Sequence, residues 1–63
     1  MAEASLLVEG TLVVVNADDT SGYAGHHGWI RDIEQIYGFT VYGLEMLGED
    51  DYAYFKAEEL TIP

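Results

Sequence analysis

The chain has 63 residues, of which twelve are acidic and two are basic, so its formal net charge is −10 at pH 7. This length has room for one domain. The absence of cysteine excludes disulfides, thiolate metal sites and thiol nucleophiles from this sequence. The density of negative charge repels a phosphate backbone, so direct binding of nucleic acid is not expected.

We expect neither a secreted nor a membrane protein. The start, Met1 to Ser5, lacks the basic region of a signal peptide, and no apolar run reaches the roughly 18 residues that span a bilayer. A small cytoplasmic protein of a virus or a bacterium fits these features. Because 49% of the residues are hydrophobic and 13% are aromatic, the composition differs from that of disordered acidic chains. We therefore expect one folded domain over residues 1–63, with a frayed terminus at residues 1–5.

The first half of the chain predicts two strands separated by a long polar loop. The β-branched run around Val13 predicts a strand from Gly10 to Ala17 that is buried on much of both faces. The loop that follows is rich in Asp, Ser and Gly. The segment from Trp29 to Tyr37 is ambiguous, because the spacing of its apolar residues also fits a helix. We interpret it as a strand, since Gly28 and Gly38 bracket only nine residues, many of them β-branched or aromatic.

The second half predicts further short strands. Residues Phe39 to Leu44 alternate with a period of two, which is typical of a strand. A turn at Gly48 to Asp51 leads into a strand at Tyr52 to Phe55. The segment Lys56 to Leu60 is long enough for a single 3₁₀ turn, and Thr61 to Pro63 predicts a closing edge strand. Together these elements predict an all-β fold, a small and strongly bent antiparallel barrel.

Glycine-based motifs support this barrel. The chain contains Gly10-x-x-Val13-x-Val15 and Gly22-Tyr23-x-Gly25-x-x-Gly28-x-Ile30-x-x-Ile33, and it ends with Tyr54-Phe55-x-x-x-Glu59-Leu60. This pattern resembles the KOW-type signature within Src-homology-3-like barrels, over about residues 10–63. The resemblance implies a five-stranded antiparallel Src-homology-3-like barrel with a short 3₁₀ turn before the last strand. It also implies binding of RNA, ribosomal proteins or transcription machinery through basic loops, where this chain carries Asp18, Asp19 and Asp32.

No metal or cofactor is expected. The adjacent His26 and His27 are interpreted as solvated loop residues, and the alternative is a divalent-metal site completed by Asp18 and Asp19. Their spacing matches no known metal motif. The acidic run at residues 49–51 lacks the alternating oxygen ligands of a calcium loop, which favours a solvated turn.

Catalytic groups are few, and we do not expect an enzyme. A hydrolytic triad would need Ser21, a histidine and an aspartate within one loop, without an oxyanion hole. A mechanism with paired carboxylates needs one carboxyl group in a dry cleft, and a domain of this size rarely has one.

The spread of acids along the chain leaves three explanations open: a salt-rich habitat, solubility, or a basic partner. A compact polyanion can occupy a basic groove that normally holds nucleic acid, and small acidic phage proteins that block nucleases are similar in size and charge. We expect a monomeric interaction module that binds a basic protein surface, with inhibition by nucleic-acid mimicry as the sharper hypothesis. The alternative is a KOW-type accessory domain that binds nucleic acid or the ribosomal or transcription machinery, its acidity reflecting a high-salt habitat.

Two groups of side chains are candidates for binding this partner. Loop and turn acids would supply the charge, and two tyrosines would supply the contact area. The candidate residues are Asp18, Asp19, Tyr23, Tyr42, Glu49, Asp50 and Asp51. Trp29 and Tyr54 are interpreted as structural, and Arg31 as an ion-paired strand residue because of the acids beside it.

Overall fold

The computed structural model describes residues 7–48 and 50–63. Its strands are β1 (Leu12–Val15), β2 (His27–Ile36), β3 (Phe39–Met46), β4 (Tyr52–Lys56) and β5 (Leu60–Thr61), with a 3₁₀ turn at Ala57–Glu59 before β5. The all-β prediction and the 3₁₀ turn are confirmed. The frayed terminus at residues 1–5 and the candidate Glu49 lie outside the described residues. Within the described part of the chain, no helix is long and apolar enough to cross a membrane.

The strands form one antiparallel sheet in the order β4-β3-β2-β1-β5. A two-residue turn, Tyr37–Gly38, joins β2 to β3 in the longest hairpin. Strand β1 pairs with the first residues of β2, and Val15 at its end pairs with Leu60 of β5. Because β4 pairs with β3 only as far as Val41, the turn end of the hairpin extends beyond both neighbouring strands.

A β-bulge in β2 explains the ambiguity between strand and helix. The register of β2 against β3 shifts between Ile30 and Asp32, so Ile30 lies opposite Leu44 and Ile33 lies opposite Tyr42. The extra residue returns Ile33 to the face of Ile30 after three positions instead of two. The strand interpretation is thus confirmed, and the helix-like spacing of the isoleucines arises from the bulge.

The core lies against the inner face of the sheet. Its buried residues are Leu7, Val13, Val15, Ile30, Tyr42, Leu44, Met46, Phe55 and Leu60. The expectation of an exposed Tyr42 is wrong, because its side chain is only 4% exposed. Tyr42 pairs with Phe55 across β3 and β4, and alternation puts it on the same face as Leu44 and Met46. Tyr42 is therefore a core residue and contributes no contact area to a partner.

Candidate functional site

The long loop between β1 and β2, residues 16–26, is bonded to two other segments that carry acids. At its start, the Asn16 backbone N–H donates to the Glu59 carbonyl at 2.9 Å, and Asn16 Nδ2 donates to the Glu58 carbonyl at 2.8 Å. Near its end, the Tyr23 hydroxyl donates to the Asp51 carboxylate in the β3–β4 turn. The loop thereby adjoins both the 3₁₀ turn and the β3–β4 turn. The acids of these three segments form what we call the acidic surface: Asp18, Asp19, Asp50, Asp51, Glu58 and Glu59.

Tyr23 holds the two sides of the acidic surface together. Its half-buried ring packs edge-on against Phe55, with centroids 6.0 Å apart, and against His26, with centroids 5.9 Å apart. The ring is thus anchored to the core while its hydroxyl reaches Asp51 at the surface. Tyr23 was predicted as a contact residue; in the structure it positions a carboxylate and leaves only part of its ring exposed.

Asp19 and Glu59 form a pair of unequal carboxyl groups. Asp19 Oδ2 accepts a hydrogen bond from the Ser21 backbone N–H at 3.0 Å, and hydrogen bonding to Ser21 lowers the pKa of Asp19. Burial, followed by the neighbouring Asp19, raises the pKa of Glu59. Glu59 Oε1 also accepts from the Lys56 backbone N–H at 2.8 Å and so caps the 3₁₀ turn. On acidification Glu59 takes up a proton before Asp19 does, and Asp19 keeps its charge.

The β3–β4 turn presents carboxylates beside an aromatic ring. A shallow groove of about 430 Å³ is lined by Glu45, Asp50, Asp51 and Tyr52. Both aspartates are exposed, and Asp51 Oδ1 accepts from the Tyr52 backbone N–H at 3.2 Å. Carboxylates next to a tyrosine suit a cationic side chain, because the carboxylates and the face of the ring attract positive charge.

The structure connects the two segments that carry most of the predicted binding acids. Asp18 and Asp19 lie in the loop that Tyr23 ties to Asp51, and Asp50 is next to it in the turn. The sequence analysis missed Tyr52, which lies in the groove. The alternation of β4 is the signal that would have found it. Phe55 points inward, and residues two apart share a face, so Tyr52 and Tyr54 both point outward.

The histidines do not assemble a metal site. His26 Nδ1 lies 3.0 Å from the Tyr23 carbonyl oxygen and is half-buried, whereas His27 is exposed at the start of β2. Both line a shallow depression of about 390 Å³ next to Leu47. Among residues 7–48 and 50–63, no group of three or more His, Cys, Asp or Glu side chains gathers as metal ligands. The alternative of a divalent-metal site in this loop has no support in this geometry.

A second surface lies on the side of β2, β3 and β4 opposite the core, and we call it the outer face. Arg31 Nε donates to Glu45 Oε1 at 2.9 Å, so the predicted ion pair of Arg31 exists, but across the strands instead of with a neighbour in sequence. The ammonium of Lys56 lies 4.6 Å from the centroid of the Phe39 ring. Both basic residues of the chain are therefore engaged on this face, and Lys56 also lies close enough to Glu59 for its charge to lower the pKa of that carboxyl group.

Tyr54 bridges two carboxylates on the outer face. Its hydroxyl lies 3.2 Å from Asp32 Oδ2 and 3.3 Å from Glu34 Oε2. A hydrogen bond between the two carboxyl groups lowers the pKa of Asp32 and raises that of Glu34. Partial desolvation and the Glu34 charge raise the pKa of Tyr54 to about 12, so its hydroxyl remains a donor at neutral pH. Tyr54 was interpreted as structural, yet it is 48% exposed.

No protein-family model, curated protein or solved structure matches the chain. The two surfaces differ in charge and in aromatic content, and each fits a different kind of contact.

Proposed function

We propose that the chain is a non-enzymatic domain of Src-homology-3-like barrel type that binds a basic protein surface in the cytoplasm. The observation that carries this proposal is the acidic surface, where the long loop with its own carboxylates is bonded to both the β3–β4 turn and the 3₁₀ turn. The strand order and the 3₁₀ turn before β5 support the barrel. Since Arg31 is paired with Glu45 and Lys56 packs on Phe39, with Glu59 close to the Lys56 charge, most of the charge of the acidic surface is left for a partner.

Electrostatics favours a partner lined with Lys and Arg. Carboxylates held near one another repel, and a basic surface relieves that repulsion when it docks. Exposed acids also steer a basic partner over long range, so association is fast and weakens as salt is added. In the sharper form of this proposal, the carboxylates stand in for backbone phosphates, and the domain displaces nucleic acid from a basic groove.

Charge reversal tests this proposal. The tagged domain is used to retain proteins from a lysate of its own source, and the retained protein is then purified for titration. We expect D18K/D19K and D50K/D51K each to weaken its binding at least about tenfold at low salt. The control is the single reversal E9K, outside both the acidic surface and the outer face, and its effect is compared with the test variants per reversed charge. Unchanged affinity in both test variants would overturn the proposal.

Competition with nucleic acid tests the mimicry. If the domain occupies a groove that holds nucleic acid, duplex DNA must displace it from the retained protein in proportion to concentration. If that protein binds DNA and the domain at the same time, the mimicry hypothesis is wrong, and only the binding of a basic surface by the acidic surface remains.

A gel shift tests the alternative role, direct binding of nucleic acid. That role needs a basic patch, but Arg31 and Lys56 are the only two basic residues and are engaged with Glu45 and Phe39. We therefore expect no shift of RNA or DNA by the isolated domain at low salt. A shift would favour the KOW-type role instead.

A further inference from the structure

The outer face carries little net charge. It carries both basic residues, Arg31 and Lys56, together with Asp32, Glu34 and Glu45. The sum on this face is +2 − 3 = −1, which leaves −9 of the total charge of −10 for the rest of the chain. A second molecule of the same charge therefore meets little repulsion on this face.

The outer face is also rich in exposed apolar and aromatic side chains. Ile36 is 44% exposed, Phe39 57%, Tyr52 45% and Tyr54 48%. The rings of Tyr52 and Tyr54 contact each other edge-on, with centroids 5.5 Å apart. Aromatic residues that lie together in solvent typically mark a protein interface.

One row of residues across the outer face has an acid at one end and a base at the other, so it is complementary to the same row of a second copy. Glu34 of β2 pairs with Val41 of β3, and Val41 pairs with Lys56 of β4, so an acid and a base lie on either side of a central valine. A two-fold axis along β3, between two such faces, exchanges the two sides of the row. It brings Glu34 of one copy opposite Lys56 of the second copy.

The neighbouring rows fit the same axis. Gly43 of β3 lies between Asp32 and Tyr54, so the axis brings the Asp32 position of β2 opposite the Tyr54 position of β4 in the second copy. Phe39 lies on β3, and its ring meets the same ring of the second copy. Such an arrangement is an isologous dimer, with two sheets stacked face to face.

We propose that two copies of this chain associate through their outer faces, with Val41 and Phe39 at the two-fold axis and Glu34 paired with Lys56 of the second copy. The sequence was interpreted as that of a monomer, and the placement of its two basic residues leads to this different proposal. The dimer does not depend on the proposed binding of a basic partner, because its paired residues Glu34 and Lys56 are not part of the acidic surface, although the two surfaces meet at the groove beside Tyr52.

Salt separates the two proposals. Each copy carries a charge of −10, so screening reduces the repulsion between copies and strengthens the dimer. The same screening weakens the binding of a basic partner. Because the two interactions respond to salt in opposite directions, the failure of one proposal can be told from the failure of the other.

The experiment is sedimentation equilibrium of the full chain over a range of protein concentrations, at about 0.05 M and about 0.5 M salt. We expect a monomer–dimer equilibrium that shifts toward dimer at the higher salt. A single monomeric species at both salt concentrations, or a dimer that weakens as salt rises, would overturn the proposal.

A charge swap tests the geometry of the dimer. E34K and K56E each place like charges opposite one another, so each is expected to raise the dissociation constant at least about tenfold. The double variant E34K/K56E restores opposite charges across the axis and is expected to return within about threefold of the wild type. The control E9K changes the charge away from this face. A double variant that dimerises no better than the single variants contradicts the axis, and circular dichroism verifies that each variant is folded.

Discussion

The hydroxyl of Tyr23 donates a hydrogen bond to the carboxylate of Asp51, 28 residues later in the chain. Because the Tyr23 ring packs on Phe55, this bond connects the core to the exposed turn between β3 and β4. The carboxylate of Asp51, one of the acids of the acidic surface, is thus held in part by an aromatic residue in another segment.

Removal of the Tyr23 hydroxyl is expected to loosen the acidic surface without unfolding the domain. Tyr23→Phe keeps the ring against Phe55 and deletes the bond to Asp51, so we expect a loss of about 1 kcal/mol in the free energy of unfolding. Urea denaturation measures this loss, and hydrogen exchange at the Gly25 amide reports local opening of the loop. The control is Tyr37→Phe, at a hydroxyl on a side chain that is 97% exposed. Equal stability of the two variants would contradict the role of Tyr23.

Gly28 is expected not to tolerate a side chain. A Cβ at this buried position would lie 3.1 Å from the Glu45 carbonyl oxygen and 3.2 Å from the Leu44 Cβ, and neither atom can move without the strand. We therefore expect Gly28→Ala to cost about 1–3 kcal/mol in urea denaturation. At Gly43 the nearest neighbours are atoms of the exposed Tyr52 side chain, which can swing away. Gly43→Ala is thus the comparison, with a smaller expected loss.

The hairpin turn offers a stabilising substitution. Tyr37 has a φ of +50° and Gly38 a φ of +81°, so both central residues of the two-residue turn are left-handed. This is the geometry of a type I′ turn, which favours Asn-Gly. Tyr37→Asn is expected to raise the free energy of unfolding by about 0.5–1 kcal/mol. The control is Gly38→Ala, which puts a side chain on the other left-handed residue and is expected to lower the free energy of unfolding. A neutral or destabilising Tyr37→Asn would contradict the prediction and show that the tyrosine makes a compensating contact.

The raised pKa of Glu59 makes stability depend on pH. A carboxyl group whose pKa is higher in the folded than in the unfolded state stabilises the fold in its protonated form. This contribution is fully present below the ordinary pKa of 4.5 and is lost as the pH rises through the folded value. Glu59→Gln removes the ionisation and keeps an oxygen that can accept from the Lys56 N–H.

We therefore expect Glu59→Gln to gain stability relative to the wild type at pH 7 and to lose that advantage toward pH 4. Thermal unfolding across this range measures the difference. Glu58→Gln is the matched control, because it removes the same charge from the neighbouring exposed side chain. An advantage that is constant with pH, or shared by the control, would contradict the role of burial at Glu59.

The strands of this fold could be predicted because their signals are local. Glycines bracket β2, the alternation of apolar residues marks β3, and the short segment before Leu60 has room only for a 3₁₀ turn. Tyr42 was misassigned although its alternation with Leu44 indicated the core. The many aromatic residues of the chain suggested an exposed binding surface, whereas the strand register places Tyr42 on the core face.

The candidate site could be predicted only in part, because its assembly is not local. The acids of the loop and the turn were visible in the sequence, but their proximity depends on Tyr23 reaching Asp51 and on Asn16 reaching the 3₁₀ turn. The bulge at Arg31 likewise changes which residues of β2 share a face. Side-chain contacts between distant segments leave no periodic pattern in a single sequence.

The pairing of Val15 with Leu60 has a consequence for the order in which the chain folds. The β2–β3 hairpin closes through a turn of two residues and loses little chain entropy, so we expect it to form first. Strands β1 and β5 are separated in sequence by all the other strands. Their pairing therefore loses more chain entropy before any contact between them offsets that loss. Folding is therefore expected on the millisecond to second timescale of non-local β topologies, with the β1–β5 pairing formed late.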